Sequence, residues 1–196
     1  AIHPISIYGR SKKMAEEAVT QFSQHRPATI IRPPSVFGPR DVDFYALYKI
    51  VSRGIIPKPG RGEQKISIVY ISDLVEGILQ AAENPKANGE TFFICQDQAI
   101  TFYELGQIVA TVLGKKTITL PIPLGLVEGA SIITTALSKI TGKPALLNAD
   151  KVLEMKQAGW ICSNAKAKKM LNYKAKITIE EGMKQTAAWY KKMGWL

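Results

Sequence analysis

Two hydrophobic rhythms alternate along the chain. Over residues 6–22, Met14, Ala15, Ala18, Val19 and Phe22 recur at three- and four-residue intervals, which places them on one face of a helix. The next apolar run, ATIIR at 28–32, is short and is stopped by Pro33 and Pro34. It predicts a buried strand of the parallel-sheet kind. DFYALYKIVSRG predicts a helix ending at Gly54, IIPKPGRGEQ a Pro/Gly loop, and ISIVYI a strand. From Asp73 to Glu83 the stripe Leu74, Val75, Ile78, Leu79 and Ala82 predicts an amphipathic helix with Ser72 as its N-cap. A turn, NPKANGE, and a strand, TFFIC, follow. Thr101 with Glu104, and Thr178 with Glu181, make T-x-x-E capping boxes at two helix starts. The first of these helices stops at Gly114, and the second carries Met183, Ala187 and Tyr190. Short strands alternating with helices indicate an α/β protein.

The longest apolar stretch, residues 121–140, contains Glu128 and Lys139 and two glycines, at 125 and 129. A spanning helix needs about 20 predominantly apolar residues. The stretch is therefore expected to be a buried or pocket-lining helix rather than a membrane contact. The first twenty residues have no apolar run of the signal-peptide kind. With 46% hydrophobic and 21% charged residues, the composition is that of a folded globular chain.

A net charge of +10 raises the question of nucleic acid. The lysines gather at 166, 168, 169, 174 and 176, with only Tyr173 among them and no recognition motif. A solvated helix face is the expectation, and no nucleic-acid partner. The two cysteines, Cys95 and Cys162, lack metal-ligand spacing, so no metal site is expected. Cys95, in TFFICQ, reads as a small core hydrophobe. Free thiols fit a reducing cytoplasm.

The chemistry lies at the start. Tyr8 and Lys12 stand four apart on the first predicted helix and so share a face. An ammonium beside a phenol favours the phenolate form. Such a tyrosine can protonate a carbonyl under reduction or deprotonate an alcohol under oxidation. Spacing alone identifies little, because Tyr45 and Lys49 repeat it. That second pair sits in an ordinary amphipathic pattern and is expected to be structural or solvent-facing.

The surroundings of Tyr8 separate the two pairs. YGRSKKMAEE is followed by ATIIRPPSVFGPRD, GRGEQKISIVYISDLVEGI, GETFFICQDQAITFYELGQIV and a KAKKMLNYKAKITIEEGMKQTAAWYKKMGWL end. In this order the segments resemble the extended short-chain dehydrogenase/reductase superfamily, also called the NAD-dependent epimerase/dehydratase superfamily. The resemblance covers nearly the whole chain. It implies the C-terminal portion of a Rossmann-type doubly wound sheet plus a smaller α/β substrate domain. Residues 1–40 would be a remnant of the NAD(P)-binding domain. Residues 41–196 would be mainly substrate-binding, with about 73–96 returning to the Rossmann sheet.

The resemblance also implies roles. Tyr8 would be the catalytic acid/base, and Lys12 would hold the ribose of NAD or NADP. Pro33, Pro34, Ser35 and Val36 would pass under the nicotinamide, with Ser35 also facing the substrate. Arg32, Gly38 and Pro39 are expected to serve shape. The family's Gly-rich phosphate loop and partner Ser/Thr lie upstream of its tyrosine. Only seven residues precede Tyr8, and no G-x-G-x-x-G occurs later. The expectation is therefore a C-terminal piece of a longer enzyme, inactive alone and binding NAD(P) weakly or not at all, with a homodimer possible.

Nucleotide-sugar enzymes of the superfamily place an Arg near QKISIVYISD to grip a diphosphate. Here that position reads Ile66, with Lys65 beside it as a weaker substrate-contact candidate. The segment is more similar to the 3β-hydroxysteroid dehydrogenase and dihydroflavonol reductase-like branch. That branch implies an oxidoreductase acting on an alcohol or ketone of a small apolar substrate. A nucleotide-sugar epimerase/dehydratase is the alternative, and a non-catalytic binding protein on the same scaffold is the alternative of another class.

Overall fold

A computed structural model describes residues 4–60, 64–141 and 149–196. Helix α1 (Ile7–Phe22) starts where Ser6 turns extended and its hydroxyl accepts the Gly9 N–H at 3.1 Å. β1 (Ile30–Arg32) and β2 (Ser35–Phe37) follow, separated only by Pro33 and Pro34. α2 (Asp43–Ser52) leads to β3 (Ile55–Pro59). The ISIVYI segment divides into β4 (Lys65–Ile66) and β5 (Ile68–Tyr70), with Ser67 between them, and runs straight into α3 (Ile71–Glu83). Then come β6 (Thr91–Phe93), β7 (Ile100–Thr101), α4 (Phe102–Leu113), β8 (Ile118–Ile122) and α5 (Leu124–Thr141). The chain ends with α6 (Ala149–Met155), β9 (Gly159–Trp160), α7 (Ala165–Leu171) and α8 (Ile179–Lys192).

The described strands form four small sheets. β1 pairs in parallel with β6, β2 with β5, and β3 with β8, while β4 lies between antiparallel β7 and parallel β9. Parallel strands joined through helices are the α/β architecture that the alternating pattern predicts.

β5 is buried on both faces, as central parallel strands are. Ile68 and Tyr70 point into one core with Phe37, Tyr48, Leu105, Met183 and Tyr190. Val69 points the other way, into a second core with Leu74, Phe92, Ile94, Ala167, Leu171 and Tyr173. α8 approaches the first core so closely that a Cβ at Gly182 would lie 2.7 Å from Phe37 Cε2 and 2.9 Å from Tyr70 Cδ2. Tyr48 donates its hydroxyl to the Met183 carbonyl at 2.6 Å, and Tyr190 donates to the Asp41 carbonyl at 2.6 Å. Burial pushes both phenols above their ordinary range.

Several boundaries follow the local chemistry. Thr101 and Glu104 close a full capping box, and Gly114 ends α4 in the left-handed region at φ 63°. Thr178 also caps its helix, but the reciprocal half is missing: the Glu181 carboxylate accepts Gln185 instead. Three of the clustered lysines are paired, Lys166 with Glu90, Lys168 with Asp97 and Lys176 with Glu76.

Four expectations are corrected. IIPKPGRGEQ was expected to be a loop, yet residues 55–59 form β3 against β8, which the pattern also missed. Pro57, Pro59 and Pro121 hid the pair; in a two-stranded sheet each strand keeps one free edge, where a proline costs no ladder bond. The N-cap of α3 is Tyr70 rather than Ser72, because the helix begins directly at the end of β5. Its inward residues are Leu74, Gly77 and Ala81, while Val75, Ile78 and Leu79 are 43–52% exposed. The larger side chains therefore line an adjoining side that no described residue covers. Likewise α1 buries no residue, and Met14 and Phe22 stand exposed. Finally, α5 is not a buried helix: Leu126, Ile132, Ile133 and Leu137 are 52–71% exposed.

Candidate active site

α1 is tied down at two points. The Arg32 guanidinium, at the end of β1, donates Nε to Glu16 Oε1 at 2.7 Å and Nη2 to Glu16 Oε2, and stacks over Phe93. The Ile7 N–H reaches Asp150 Oδ2 of α6 at 3.4 Å. Arg32 was expected to serve shape, and it does so as the anchor of the helix that carries Tyr8.

These ties leave the first turn of α1 facing a cleft of about 470 Å³. One wall is Pro4, Ile5, Ser6, Tyr8 and Gly9. The floor is Pro34, Ser35, Ile66 and Ser67, and the far wall is Gln64, Phe102, Glu154, Met155 and Trp160. Gln64 Nε2 donates to the carbonyls of Glu154 and Gln157, at 3.1 and 2.5 Å, and the Trp160 indole donates to the Glu154 carbonyl at 3.2 Å. These bonds hold the end of α6 against β4 and β9. Most of the lining is hydrocarbon or aromatic ring, with Tyr8, Ser35, Ser67 and Gln64 among its few polar groups.

Of the residues singled out from sequence, Tyr8, Pro34 and Ser35 meet in this cleft. Lys12, Pro33, Val36 and Lys65 are not among its lining residues. The Lys12 ammonium lies over the Tyr8 ring, 5.3 Å from its centroid. Pro33 is exposed at the end of β1, and Val36 packs against the second core. Lys65 points out of β4, opposite Ile66, and its charge acts on Glu104. That carboxyl is held below the ordinary range mainly by the Thr101 N–H and hydroxyl, with Lys65 adding to the effect.

The second Tyr–Lys pair has the same internal geometry, with Lys49 5.5 Å over the Tyr45 ring. Its tyrosine is otherwise employed: the Tyr45 hydroxyl donates to the Trp195 carbonyl at 2.5 Å, and its ring packs on Tyr190 and Trp195. The Tyr8 hydroxyl has no partner among the described residues, and Tyr8 is 68% exposed. Spacing produces the cation–π contact in both copies; only Tyr8 has a hydroxyl left available to a ligand.

Residues 1–95 match the NAD dependent epimerase/dehydratase family. The chain belongs to that family. Among curated relatives, this epimerase/dehydratase chain is 25% identical to a ceramide reductase of Caulobacter vibrioides over 98% of its length and 59% of the relative's. It is 32% identical to N-acetyl-alpha-D-glucosaminyl-diphospho-ditrans,octacis-undecaprenol 4-epimerase of Escherichia coli O157:H7, over 76% of its length and 46% of the relative's. The chain thus spans about half the length of the curated relatives it matches. In fold it is similar to UDP-glucuronic acid 4-epimerase from Bacillus cereus, solved with UDP-glucuronic acid and NAD. The TM-score is 0.72 at 20% identity, over 97% of this chain and 54% of that one.

Pattern reading missed Ser67, the residue that links the cleft floor to the cysteines. Its hydroxyl accepts the Cys162 N–H at 3.0 Å and donates to the Cys162 carbonyl at 3.3 Å. The buried Cys95 thiol donates to the same carbonyl at 3.7 Å. The break of ISIVYI at Ser67, a small polar residue in an apolar run, is the only sequence signal for it. The Cys95 thiol and the Ser67 hydroxyl both stabilise the Cys162 thiolate, so Cys162 titrates below an ordinary thiol; Cys95, hydrogen-bonded and buried, titrates above one. Iodoacetamide at neutral pH is therefore expected to label Cys162 and spare Cys95, as read by peptide mass spectrometry. Equal labelling of both would contradict this arrangement.

Proposed function

We propose that this chain supplies the substrate cleft and the acid/base residue of an NAD(P)-dependent oxidoreductase that acts on an alcohol or ketone of an apolar substrate. The observation that carries this reading is the cleft itself: an available tyrosine hydroxyl at the rim of a lining dominated by Ile5, Pro34, Ile66, Phe102, Met155 and Trp160. Apolar walls with a few placed polar groups are how small-molecule sites gain both affinity and orientation. Ile66 stands where a diphosphate-gripping arginine was looked for, and it is 4% exposed. The ceramide reductase supports an apolar substrate, and the undecaprenol-linked epimerase also takes its name from a lipid-linked compound.

The residues present fit a nicotinamide cofactor on one side. Pro33–Pro34–Ser35 lies just past the carboxyl end of β1, which pairs in parallel with β6, and ligands of open α/β sheets bind outside the carboxyl ends of strands. Pro33, Ser35 and Tyr8 are exposed there. In this reading residues 1–40 and about 73–96 belong to the cofactor-binding part, and 41–196 mainly to the substrate part. Lys12 would hold the ribose hydroxyls, and Pro33, Pro34, Ser35 and Val36 would floor the nicotinamide. When bound, NAD(P) supplies or accepts the hydride. Tyr8 gives its proton to the carbonyl oxygen in reduction, or takes the alcohol proton in oxidation. Lys12, over the Tyr8 ring, places a positive charge beside that proton transfer. Ser35 orients the substrate oxygen, and the apolar wall excludes water.

The test is a substrate panel on the enzyme that contains this chain, with NADH and NADPH supplied in turn. Medium-chain ketones and ketones on sterol- or ceramide-like skeletons should oxidise the reduced nicotinamide, while UDP-sugars should give neither redox turnover nor epimer. Turnover of UDP-sugars alone would replace this reading by the nucleotide-sugar epimerase reading. Binding of either class without turnover would favour a non-catalytic role.

A further inference from the structure

Two thiols 67 residues apart in the chain meet beside the cleft floor. Cys95, just past β6, is fully buried. Cys162, just past β9, is partly exposed between exposed Ile161 and Ser163. Their two segments are clamped together. The Cys95 thiol donates to the Cys162 carbonyl at 3.7 Å. The Asn164 amide donates to the Cys95 carbonyl and to Asp97 Oδ1, both at 2.8 Å, and Lys168 pairs with the same Asp97 oxygen at 2.7 Å. Ser67, which lines the cleft, brackets Cys162 through its N–H and carbonyl. The two thiols themselves lie within hydrogen-bonding reach of each other.

We propose that Cys162 and Cys95 form a peroxide-responsive couple, with Cys162 as the sulfur that meets the oxidant and Cys95 as the thiol that resolves it into an internal disulfide. Burial fixes the order. Peroxide can approach Cys162, whereas Cys95 has no accessible surface. The thiolate, not the thiol, is the nucleophile. Cys162 titrates low, at about 7, chiefly because Cys95 hydrogen-bonds its charged form, with Ser67 adding to the effect. In the first step the Cys162 thiolate attacks one peroxide oxygen and the O–O bond breaks. The leaving hydroxide takes a proton from solvent, and the sulfur is oxidised to a sulfenic acid. That step frees Cys95, whose thiol is pushed up above all by its bond to Cys162. Once Cys162 carries oxygen, the charge that held the Cys95 proton is gone. The Cys95 sulfur then attacks the sulfenyl sulfur, the S–O bond breaks, and the Cys95 proton leaves with the hydroxide as water. In sum, two thiols and one peroxide give one disulfide and two waters. An external thiol reverses the change by exchange.

The test treats the enzyme that contains this chain with hydrogen peroxide at neutral pH and digests it with trypsin without reduction. Cys95 falls in the peptide 87–115 and Cys162 in 157–166, so mass spectrometry reads the bond directly. The wild type should lose both free thiols and give the linked peptide pair, and dithiothreitol should restore both thiols. Cys95→Ala should give no linked pair and let the sulfenic acid of Cys162 accumulate, captured as its dimedone adduct. Cys162→Ala should leave Cys95 reduced at the same dose. Circular dichroism checks the fold of each variant, and the wild-type peptide map decides even where a variant fails to fold. Cys162 oxidised to a sulfinic acid with Cys95 left free would overturn the inference. So would a disulfide joining Cys162 of two copies, or two cysteines that both stay reduced. Oxidation of Cys95 at the wild-type rate in a folded Cys162→Ala enzyme would overturn the order of events.

Discussion

Replacing Tyr8 with Phe should lower kcat of the enzyme that carries this chain by between about a hundredfold and ten-thousandfold, the range that a positioned acid/base contributes. The folded state should hardly notice. Tyr8 is 68% exposed, and its hydroxyl bonds no described residue; surface changes of that kind stay within about 0.5 kcal/mol. Tyr45→Phe is the control, with the same Tyr–Lys spacing and the opposite expectation. It removes the bond to the Trp195 carbonyl, costing about 1 kcal/mol, and leaves kcat intact. Steady-state kinetics beside urea unfolding reads both quantities. A Tyr8→Phe enzyme with wild-type kcat would sink the acid/base assignment, and a Tyr45→Phe enzyme with lost turnover would move it.

The largest stability effect should come from Tyr190→Ala, at about 3–5 kcal/mol for a buried aromatic truncated to alanine. Tyr190 is fully buried among Tyr45, Tyr48, Trp189 and Trp195, with ring centroids 5.1–5.8 Å away. The truncation would open a cavity at the meeting of α2 and α8 and leave the Asp41 carbonyl without its donor. Tyr190→Phe keeps the ring and loses only the hydroxyl and its part-buried bond to the Asp41 carbonyl, so it should cost about 1 kcal/mol, the net contribution of a typical hydrogen bond. Denaturant midpoints with an unchanged slope would show the loss is one of stability. A cost below about 1 kcal/mol for the alanine variant would mean that the cluster repacks around the gap.

What the sequence revealed tracks how local each determinant is. The start of α4 was legible because Thr101 and Glu104 satisfy each other within one turn, and its end because Gly114 takes a conformation that glycine adopts freely. The β3–β8 pair was not, because prolines usually argue against strands and only the tertiary arrangement shows that their edges are free. Periodicity found the apolar side of α3 but could not decide which part of it meets the sheet. That depends on Gly77, where a Cβ would sit 2.8 Å from Ile94 Cγ2. In the cleft, the Tyr8 neighbourhood was legible from ordered motifs. Gln64, Phe102, Met155 and Trp160 come from distant segments whose convergence no spacing encodes.

Strand β5 gives the chain a property that neither core has by itself. With Ile68 and Tyr70 closing one core and Val69 the other, three consecutive residues are shared between two assemblies. Neither can melt while the other stays whole, so the two cores are expected to unfold as a single cooperative body. The cleft draws Tyr8 and Pro34 from the start of the chain and Ile66 and Trp160 from later segments, and in the proposed reaction that shared strand would keep these groups in register through thermal motion.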